Sequence, residues 1–371
     1  ISKKRKNVMG YEIDFLGVGE ESKSGDAIAL RYGNLYGTRE EQTVVVIDGG
    51  FKDTGASLVE HIKNHYGTSE VDLVINTHPD LDHINGLETV LNELDVKELW
   101  IHKPWEHNQG LADKFKDGRV TDNSIGERLK ENLEKAWSLV KLAEAKGIRV
   151  QEPFTGLVDA GGGIKILGPS VEFYESLIPD FEGMPEKASL SNMLESAFNK
   201  AASALRRFFV SWGEDKIDDS GETSPRNNTS VITQLLVDER RSLFTGDAGI
   251  KALEYAADQL EQSGQTSDLR FIQIPHHGSK RNIGKTVLNR LVGEPVAQGE
   301  SRGITAIAST AKGAEPKHPR KAVMNAFTHR GVKVLATRGT GICHYHNAPS
   351  REGWNSLNPE PYHYDYEDEV A

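Results

Sequence analysis

The sequence predicts an α/β protein made of two similar-sized halves with a helical insertion between them. Segments with strand character alternate with amphipathic helical patterns before residue 172 and again after residue 229. The stretch between them is irregular at first and then helical in pattern. The chain has 371 residues, of which 37% are hydrophobic and 27% are charged, so a large core is available and disordered or fibrous classes are excluded.

The first half alternates strands and helices. Apolar runs and alternations predict strands over residues 11–18, 26–32, 42–47, 71–75 and 98–102. Apolar residues recur at helical spacing over residues 58–66, and helical patterns also cover residues 86–94 and 125–146. A polar loop, residues 77–85, separates the fourth strand from the second helix.

The second half repeats this order after the insertion. The insertion spans residues 172–221 and contains a predicted helix over residues 190–209, while residues 214–228 have the polar composition of a linker. Further helices are predicted over residues 250–262 and 320–329. Strands are predicted over residues 230–237, 242–244, 271–274, 304–308 and 332–336.

Charge, cysteine content and apolar runs exclude several classes of protein. The net charge is −11, and one arginine against six acids leaves −5 of it after residue 345. This balance argues against a broad basic face for duplex DNA but not against a local basic channel. Cys343 is the only cysteine, which excludes internal disulfides and multi-cysteine zinc sites and makes a reducing cytoplasm the expected location. Apolar runs fall far short of the roughly 18 residues of a membrane span, and no secretory signal follows the basic first residues.

The most informative segment is Asn-Thr-His-Pro-Asp-Leu-Asp-His at residues 76–83. It places His78, Asp80, Asp82 and His83 within six positions, directly after an apolar strand and before a helix. A loop that leaves a strand end can turn such side chains towards two neighbouring metal ions. The alternative is a polar loop whose aspartates cap the next helix, although capping needs only one carboxylate.

Two other predicted strands also end in potential metal ligands. Asp247 follows the strand that ends in Leu-Phe-Thr-Gly, and His276 and His277 follow the strand Phe-Ile-Gln-Ile-Pro. Taken alone, Asp247 has the alternative of a helix cap, and the two histidines that of a structural pair. Three strand ends of this kind predict a common metal site where they converge.

These motifs resemble those of the metallo-β-lactamase superfamily of hydrolases. Its signature His-x-His-x-Asp-His matches residues 78–83, with Asp80 in place of the second histidine. With the Gly-Asp strand end and the His-His-Gly-Ser turn, the pattern is most similar to the metallo-β-lactamase domain of ComEC-type bacterial competence proteins. The resemblance implies a four-layer αββα sandwich over residues 1–345, interrupted by the insertion at about 172–221. An acidic tail, residues 346–371, follows this domain.

The resemblance also implies a dinuclear metal site. Asp82 and His83 would bind one ion, His78 and Asp80 would bind the other, and Asp247 would bridge them. Either His276 or His277 would complete the Asp82/His83 site.

A further histidine of the family is missing. It normally lies about twenty residues before the bridging acid, where this chain has Asn228 as the nearest substitute, either as a weak ligand or as a substrate contact. With Asp80, this departure shifts one site towards oxygen donors, which suit manganese or magnesium better than nitrogen-rich sites do. We therefore expect two divalent ions, manganese or zinc, with magnesium as a third option.

Other residues near these motifs are candidates for supporting roles. Asp48 matches the family's Asp-Gly turn and is expected to support the ligands. His318, in a late His-Pro element, is expected to be catalytic with Asp82, donating a proton to a leaving oxygen or binding phosphate; its alternative is an exposed loop histidine. Candidates for contacts with substrate phosphate, or for a solvated loop, are Ser279, Lys280, Arg281 and Lys312. His102 is expected to edge the cleft, and Cys343 is assigned no chemistry.

The function implied by the resemblance is metal-dependent hydrolysis. The expected substrate is a phosphodiester, such as single-stranded nucleic acid or a nucleotide, cleaved by a water molecule that two metal ions activate. One alternative is hydrolysis of a lactone, ester or amide at the same centre. Another is a non-catalytic scaffold that binds a protein partner through the insertion or the acidic tail. No membrane association is expected.

Overall fold

The computed structural model describes residues 8–19, 23–188, 205–264, 268–314 and 318–369. The strands in these residues are β1 Gly10–Phe15, β2 Ala27–Gly33, β3 Gln42–Gly49, β4 Glu70–Val71, β5 Leu73–Ile75, β6 Asp95–Val96, β7 Glu98–Trp100, β8 Arg149–Gln151, β9 Ile164–Gly168, β10 Leu205–Phe209, β11 Ile232–Val237, β12 Arg240–Phe244, β13 Leu269–Gln273, β14 Ile304–Ala308, β15 Val332–Ala336, β16 Ile342–His346 and β17 Asp365–Glu369. The α-helices are α1 Lys52–His61, α2 Leu81–Ile84, α3 Leu87–Glu93, α4 Asp122–Asn132, α5 Glu134–Ala145, α6 Val171–Leu177, α7 Pro225–Asn228, α8 Ile250–Gln262, α9 Lys285–Val292 and α10 Lys321–Thr328.

Two facing sheets form the centre of the described structure. A seven-stranded sheet has the order β16-β1-β2-β3-β5-β7-β8, and a six-stranded sheet has the order β15-β14-β13-β12-β11-β9. In the first sheet β3, β5, β7 and β8 run parallel, and in the second β12 to β15 run parallel. Parallel strands end at the same edge of their sheet, so each half collects its strand-end loops on one side.

Side-chain alternation along the strands produces the layers. In β3, Val45 and Ile47 belong to the apolar cluster between the sheets, whereas Val44 and Val46 pack with residues of α1, α3, α4 and α5. A third cluster joins the outer face of the second sheet to α8, α9 and α10. Because successive side chains point to opposite faces of a strand, β3 contributes to two apolar cores at once. The predicted four-layer αββα sandwich is confirmed.

One predicted helix differs from the structure. Residues 189–204 of the predicted 190–209 helix lie outside the described residues, but Leu205–Phe209 is strand β10, paired antiparallel with β17. Phe208 stacks on Tyr366 at 5.9 Å between ring centroids, while Phe209 is 71% exposed. This alternation has the period of a strand, so the helix prediction is wrong for these five residues.

The predicted helix over residues 125–146 is two helices, α4 and α5. They meet at Leu133, whose backbone angles, φ −121° and ψ 38°, are not helical. Leu133 is buried, as are Leu129 and Leu139 on either side, so both helices cover the first sheet. The break lets each helix present its own apolar stripe to the core.

The acidic segment after residue 346 folds back onto both halves. Arg351 binds Asp14 at 2.7 and 2.8 Å and lies 3.0 Å from Glu12, both on β1. Tyr366 and Asp368 of β17 are buried against the second half. Three acids of the segment are paired with cations elsewhere in the fold, namely Glu360 with Arg338, Asp365 with Arg207 and Asp368 with Arg320.

Candidate metal centre

The predicted ligands meet at the edge where the strand-end loops of both sheets face each other. The loop after β5 supplies His78 and Asp80, the short helix α2 that interrupts the predicted 77–85 loop supplies Asp82 and His83, and the loop after β12 supplies Asp247. His276 and His277 come from the turn after β13. His78, His83, Asp247 and His277 are buried, while the side chains of Asp80, Asp82 and His276 are about 30% exposed. All seven lie in one cluster that is open on one side.

Asp247 lies at the centre of the cluster with one oxygen facing each group of ligands. Its Oδ1 is 3.4 Å from Nε2 of His83 and 3.9 Å from Nε2 of His277. Its Oδ2 is 3.7 Å from Nε2 of His78 and 3.5 Å from Nε2 of His276. This arrangement divides the ligands into two groups that share only Asp247.

Each group also includes one carboxylate from the segment after β5. Asp82 Oδ2 lies 3.6 Å from Nε2 of His277 and 3.9 Å from Nε2 of His83. Asp80 Oδ2 lies 3.7 Å from Nε2 of His78. Each group thus contains two imidazoles and two carboxylates, counting Asp247 in both.

The separations suit cation ligands better than direct hydrogen bonds. Hydrogen bonds between such groups are about 2.7–3.2 Å long, whereas four ligands about 2.0–2.2 Å from one ion in tetrahedral arrangement lie roughly 3.3–3.6 Å apart. Nε2 of His78, His83 and His277 and Oδ1 of Asp247 are buried with no hydrogen-bond partner among the described residues. Leaving such atoms unpaired is costly, so a divalent ion fits best in the group in which Asp82, His83 and His277 offer ligand atoms all within 4.8 Å of one another.

The Nδ1 atom of each histidine is held by an acceptor, which leaves its Nε2 free. Nδ1 of His83 lies 2.8 Å from Asp48 Oδ2, and Nδ1 of His78 lies 3.0 Å from Thr77 Oγ1. Nδ1 of His277 lies 2.9 Å from the carbonyl oxygen of Ser309. Nδ1 of His276 likewise lies 2.9 Å from Asn282 Oδ1. A proton on Nδ1 directs the Nε2 lone pair towards Asp247, as metal-binding histidines require.

Asp48 fixes the segment that carries four of the ligands. Its carboxylate accepts hydrogen bonds from Thr77 N at 2.8 Å, Thr77 Oγ1 at 2.6 Å and Asn76 Nδ2 at 3.2 Å, besides its contact with His83. Asp48 is buried and has a left-handed backbone, with φ 57°. It lies in the supporting position that the sequence predicts.

The tandem histidines adopt a strained turn. His276 and His277 both have left-handed backbone angles, with φ 47° and 56°. Such angles cost on the order of 1 kcal/mol or more for a residue with a side chain. The turn sends the two imidazoles to opposite groups: His277 lies with Asp82 and His83, and His276 lies with His78.

The charges of the cluster depend strongly on one another. Burial raises the pKa of Asp247, but His276, His83 and His277 outweigh burial and hold this pKa well below its usual range. Burial lowers the pKa of His277, but Asp247 and Asp82 outweigh it and raise that pKa to about 9. Without a cation, protons on the histidines balance the carboxylates, and a bound divalent ion would replace them.

Asp26 belongs to the same cluster, although the sequence analysis did not single it out. Its Oδ1 is buried without a hydrogen-bond partner, 3.8 Å from Nδ1 of His277, while its Oδ2 accepts from Gln273 Nε2 at 2.8 Å. Burial raises the pKa of Asp26 to about 6. Asp26 precedes β2, whose amino end, rather than its carboxyl end, lies at the site.

The flanking candidates have different surroundings. The His318 ring stacks on His276 with 5.9 Å between centroids. Ser279 and Arg281 line a cleft of about 590 Å³ beside His276, and Asn228 lines it too, with its Oδ1 packed against Gly249. Asn228 has no described contact with the ligands, whereas Nδ2 of its neighbour Asn227 lies 3.2 Å from Nδ1 of His276.

Other candidates lie outside the cluster. Lys280 is 3.6 Å from Asp368 of β17, so its charge is matched by the C-terminal strand. Lys312 is exposed on a neighbouring loop. His102 is buried against Phe154 and Tyr174 rather than lying at a cleft edge. Cys343 is half-buried on β16, an edge strand of the first sheet that carries none of the candidate ligands.

Helix capping does not explain the loop after β5. Asp80 stands at the N-cap position of α2, yet its side chain makes no capping hydrogen bond. Instead it faces His78 on one side and Arg226 on the other, with Asp80 Oδ1 3.8 Å from Arg226 Nη1. None of the helices in the described part of the chain has the length and hydropathy needed to cross a bilayer.

Comparison with known proteins found similarity to one superfamily in part of the chain. The family model described as metallo-beta-lactamase superfamily matches residues 30–169. No curated protein matches the sequence. Solved structures with detectable similarity include the metallo-beta-lactamase fold protein YhfI from Bacillus subtilis, with 8% identity, 90% of this chain and 99% of that chain covered, and a TM-score of 0.38.

Two other solved structures show similarity over comparable lengths. Zn(2+)-bound PqqB from Methylobacterium extorquens has 10% identity, with 90% of this chain and 99% of that chain covered and a TM-score of 0.41. A diphosphatase from the PhnP family has 10% identity, with 91% and 99% covered and a TM-score of 0.35. The family match thus relates residues 30–169 of this chain to the metallo-beta-lactamase superfamily.

Proposed function

We propose that this protein is a hydrolase that holds two divalent metal ions and cleaves a phosphodiester, such as single-stranded nucleic acid or a nucleotide. One observation carries the proposal. Four imidazole Nε2 atoms surround the two oxygens of Asp247 at 3.4–3.9 Å, and each histidine has its other nitrogen committed to an acceptor. A purely structural polar cluster would pair these atoms with one another.

Different side chains around the centre have different roles in the proposed reaction. When bound, divalent ions supply water activation and neutralise charge on the scissile group. Asp82 lines the larger of two clefts, about 870 Å³, so its carboxylate also faces the space where a proton must be accepted from water. We assign to His318, whose ring stacks on His276, the donation of a proton to the leaving oxygen. Ser279 and Arg281 line the smaller cleft, where the substrate's flanking phosphate or hydroxyl groups would lie.

The donor set bears on the choice of metal. Each group offers two imidazoles and two carboxylates, a more oxygen-rich set than one made mainly of histidine. Oxygen donors suit manganese and magnesium, although zinc binds more tightly to most mixed sites. We therefore propose manganese or zinc as the working ions, with magnesium as the third candidate.

A second candidate is hydrolysis of a neutral lactone, ester or amide. Part of the lining of the larger cleft favours it, because Glu131 and Glu134 would repel a polyanion, whereas Glu88 is paired with Lys135. The similarity to ComEC-type domains favours the phosphodiester. Location in the cytoplasm and a protein partner at the insertion or tail remain predictions of the sequence.

Hydrolysis of bis-p-nitrophenyl phosphate and single-stranded DNA, set against that of p-nitrophenyl acetate and a lactone, separates the candidates. The protein is supplied with Mn²⁺ or Zn²⁺, and its metal content is measured by plasma mass spectrometry. Phosphodiester cleavage should be lost in Asp82→Asn but kept in Asp113→Asn, since Asp113 is exposed and lines neither cleft. Ester turnover alone would support the second candidate, and absence of bound metal would support a scaffold.

A further inference from the structure

Arg226 is a cation at the mouth of the candidate metal centre that the sequence analysis does not single out. It lies on α7 and lines the larger cleft together with Asp80 and Asp82. Its Nη1 is 3.8 Å from Asp80 Oδ1, which is beyond hydrogen-bond length, and its Nε is buried without a hydrogen-bond partner. Among the described residues, the guanidinium's ion pair is with Asp80.

The backbone beneath Arg226 is fixed. Ser224 caps α7 by accepting from Asn227 N at 3.0 Å, and Pro225 occupies the first helical turn. Thr229 Oγ1 donates to the carbonyl oxygen of Arg226 at 2.6 Å. Asn227, the next residue, contacts His276, so the same turn connects Arg226 to the metal ligands. A side chain that extends from a backbone fixed in this way is already positioned before a ligand binds.

We propose that Arg226 binds an oxygen of an anionic scissile group and so makes the centre select phosphoryl substrates over neutral esters; this inference rests on the proposed hydrolase function. A guanidinium offers five N–H donors in a planar fork that matches phosphate. At 3.8 Å, Asp80 makes no hydrogen bond to Arg226, so the N–H donors of the fork are available to substrate. Arg226 lies beside Asp80, a candidate ligand of the His78 group. A phosphoryl group bound to Arg226 would therefore lie next to the candidate metal centre.

The test compares Arg226→Ala and Arg226→Lys with Arg119→Ala, which removes a 90% exposed arginine paired only with Asp117. Removal of a charge-assisted hydrogen bond should raise the KM for bis-p-nitrophenyl phosphate by about tenfold or more, while kcat changes less. Arg226→Lys should recover part of the loss, and Arg119→Ala should behave as wild type. Turnover of p-nitrophenyl acetate and the metal content should not change.

A binding measurement keeps the inference testable if the protein cleaves neither substrate. Calorimetric titration of the manganese-loaded protein with inorganic phosphate should show binding that weakens about tenfold or more in Arg226→Ala. Phosphate binding that is absent from wild type, or equal in the two proteins, would overturn the role of Arg226. Loss of metal in Arg226→Ala, or equal loss of phosphate-ester and acetate turnover, would show instead that Arg226 only positions Asp80. Absence of all turnover with Arg226-dependent phosphate binding would overturn the hydrolase proposal alone.

Discussion

Asp247 is the residue on which both groups of ligands depend, because each of its oxygens faces one group. Asp247→Ala should therefore lower the content of both ions together, rather than empty one site. Metal analysis after dialysis of wild type, Asp247→Ala and the exposed-site control Asp113→Ala measures this effect. Retention of two ions by Asp247→Ala would contradict a shared carboxylate.

Asp80 is the residue that sets the donor type of the more open group. Asp80→His would give that group three imidazoles and one carboxylate, which should raise the ratio of bound zinc to bound manganese. Competition dialysis against equal concentrations of the two ions, with Asp113→His as control, measures the ratio. An unaltered ratio and unaltered total metal would show that Asp80 is not a ligand.

The sequence singled out the seven candidate ligands because they follow strand ends in recognisable motifs, but it could not assign the tandem histidines to their groups. That assignment depends on the left-handed turn at His276 and His277, which no local pattern indicates. Asp26 was missed because it precedes its strand, whereas the motifs that were searched for follow the carboxyl ends of strands. Arg226 was missed because its segment has the composition of a linker, although Ser224 and Pro225 form a helix-start signal.

Helix α6 docks on the first half through a carboxylate–imidazole–carboxylate contact. Nδ1 of His107 lies 2.8 Å from Glu175 on α6, and its Nε2 lies 3.1 Å from Glu152. Burial lowers the pKa of His107, but Glu152 and Glu175 outweigh burial and raise it above its usual range. A raised pKa means that this contact stabilises the fold fully below about pH 6.5 and that the stabilisation is lost as the pH rises through the folded-state pKa.

Glu175→Gln should therefore destabilise the protein more at pH 6 than at pH 9, by about 1–2 kcal/mol at the lower pH. Urea unfolding at both values measures the difference, with Glu60→Gln, an exposed residue of α1, as the control. An equal effect of Glu175→Gln at the two pH values would show that His107 carries no extra proton in the folded state.

Elements with a clear period were predictable, and those defined by distant partners were not. Two helices of the second half, α8 and α10, match closely because they carry strong apolar stripes, whereas α9 was missed although Val287, Leu288 and Leu291 give it a stripe too. Strand β10 was missed since its partner, β17, lies some distance along the chain and only their pairing gives the segment a buried face. Strand β9 was also missed, although Ile164 and Ile166 alternate towards the inter-sheet core.

At the scale of the whole molecule, the apolar cluster between the sheets joins the two halves. Phe271 lies in this cluster, fully buried and 5.7 Å from Phe15 of the first sheet and 5.6 Å from Phe244 of the second, between ring centroids. Phe271→Ala should lower the free energy of unfolding by about 3–5 kcal/mol. The protein should still unfold in one transition, because neither sheet keeps its inner face covered alone. Urea unfolding followed by both tryptophan fluorescence and circular dichroism measures this, with the exposed Phe209→Ala as control. Two separate transitions in wild type would show that the halves are independent.

The position of β1 has a consequence for how the protein is made. β1 lies between β2 and β16 and pairs Tyr11 with His346, so the first sheet closes only when a segment from the other end of the sequence arrives. On the ribosome, the free side of β1 presents unpaired N–H and C=O groups until β16 has been synthesised, and another nascent chain can pair with them. Contacts this distant in sequence also slow folding, since a long loop must close first. Chaperone demand and loss to aggregation during expression should therefore fall mainly on chains that have been synthesised only as far as β15.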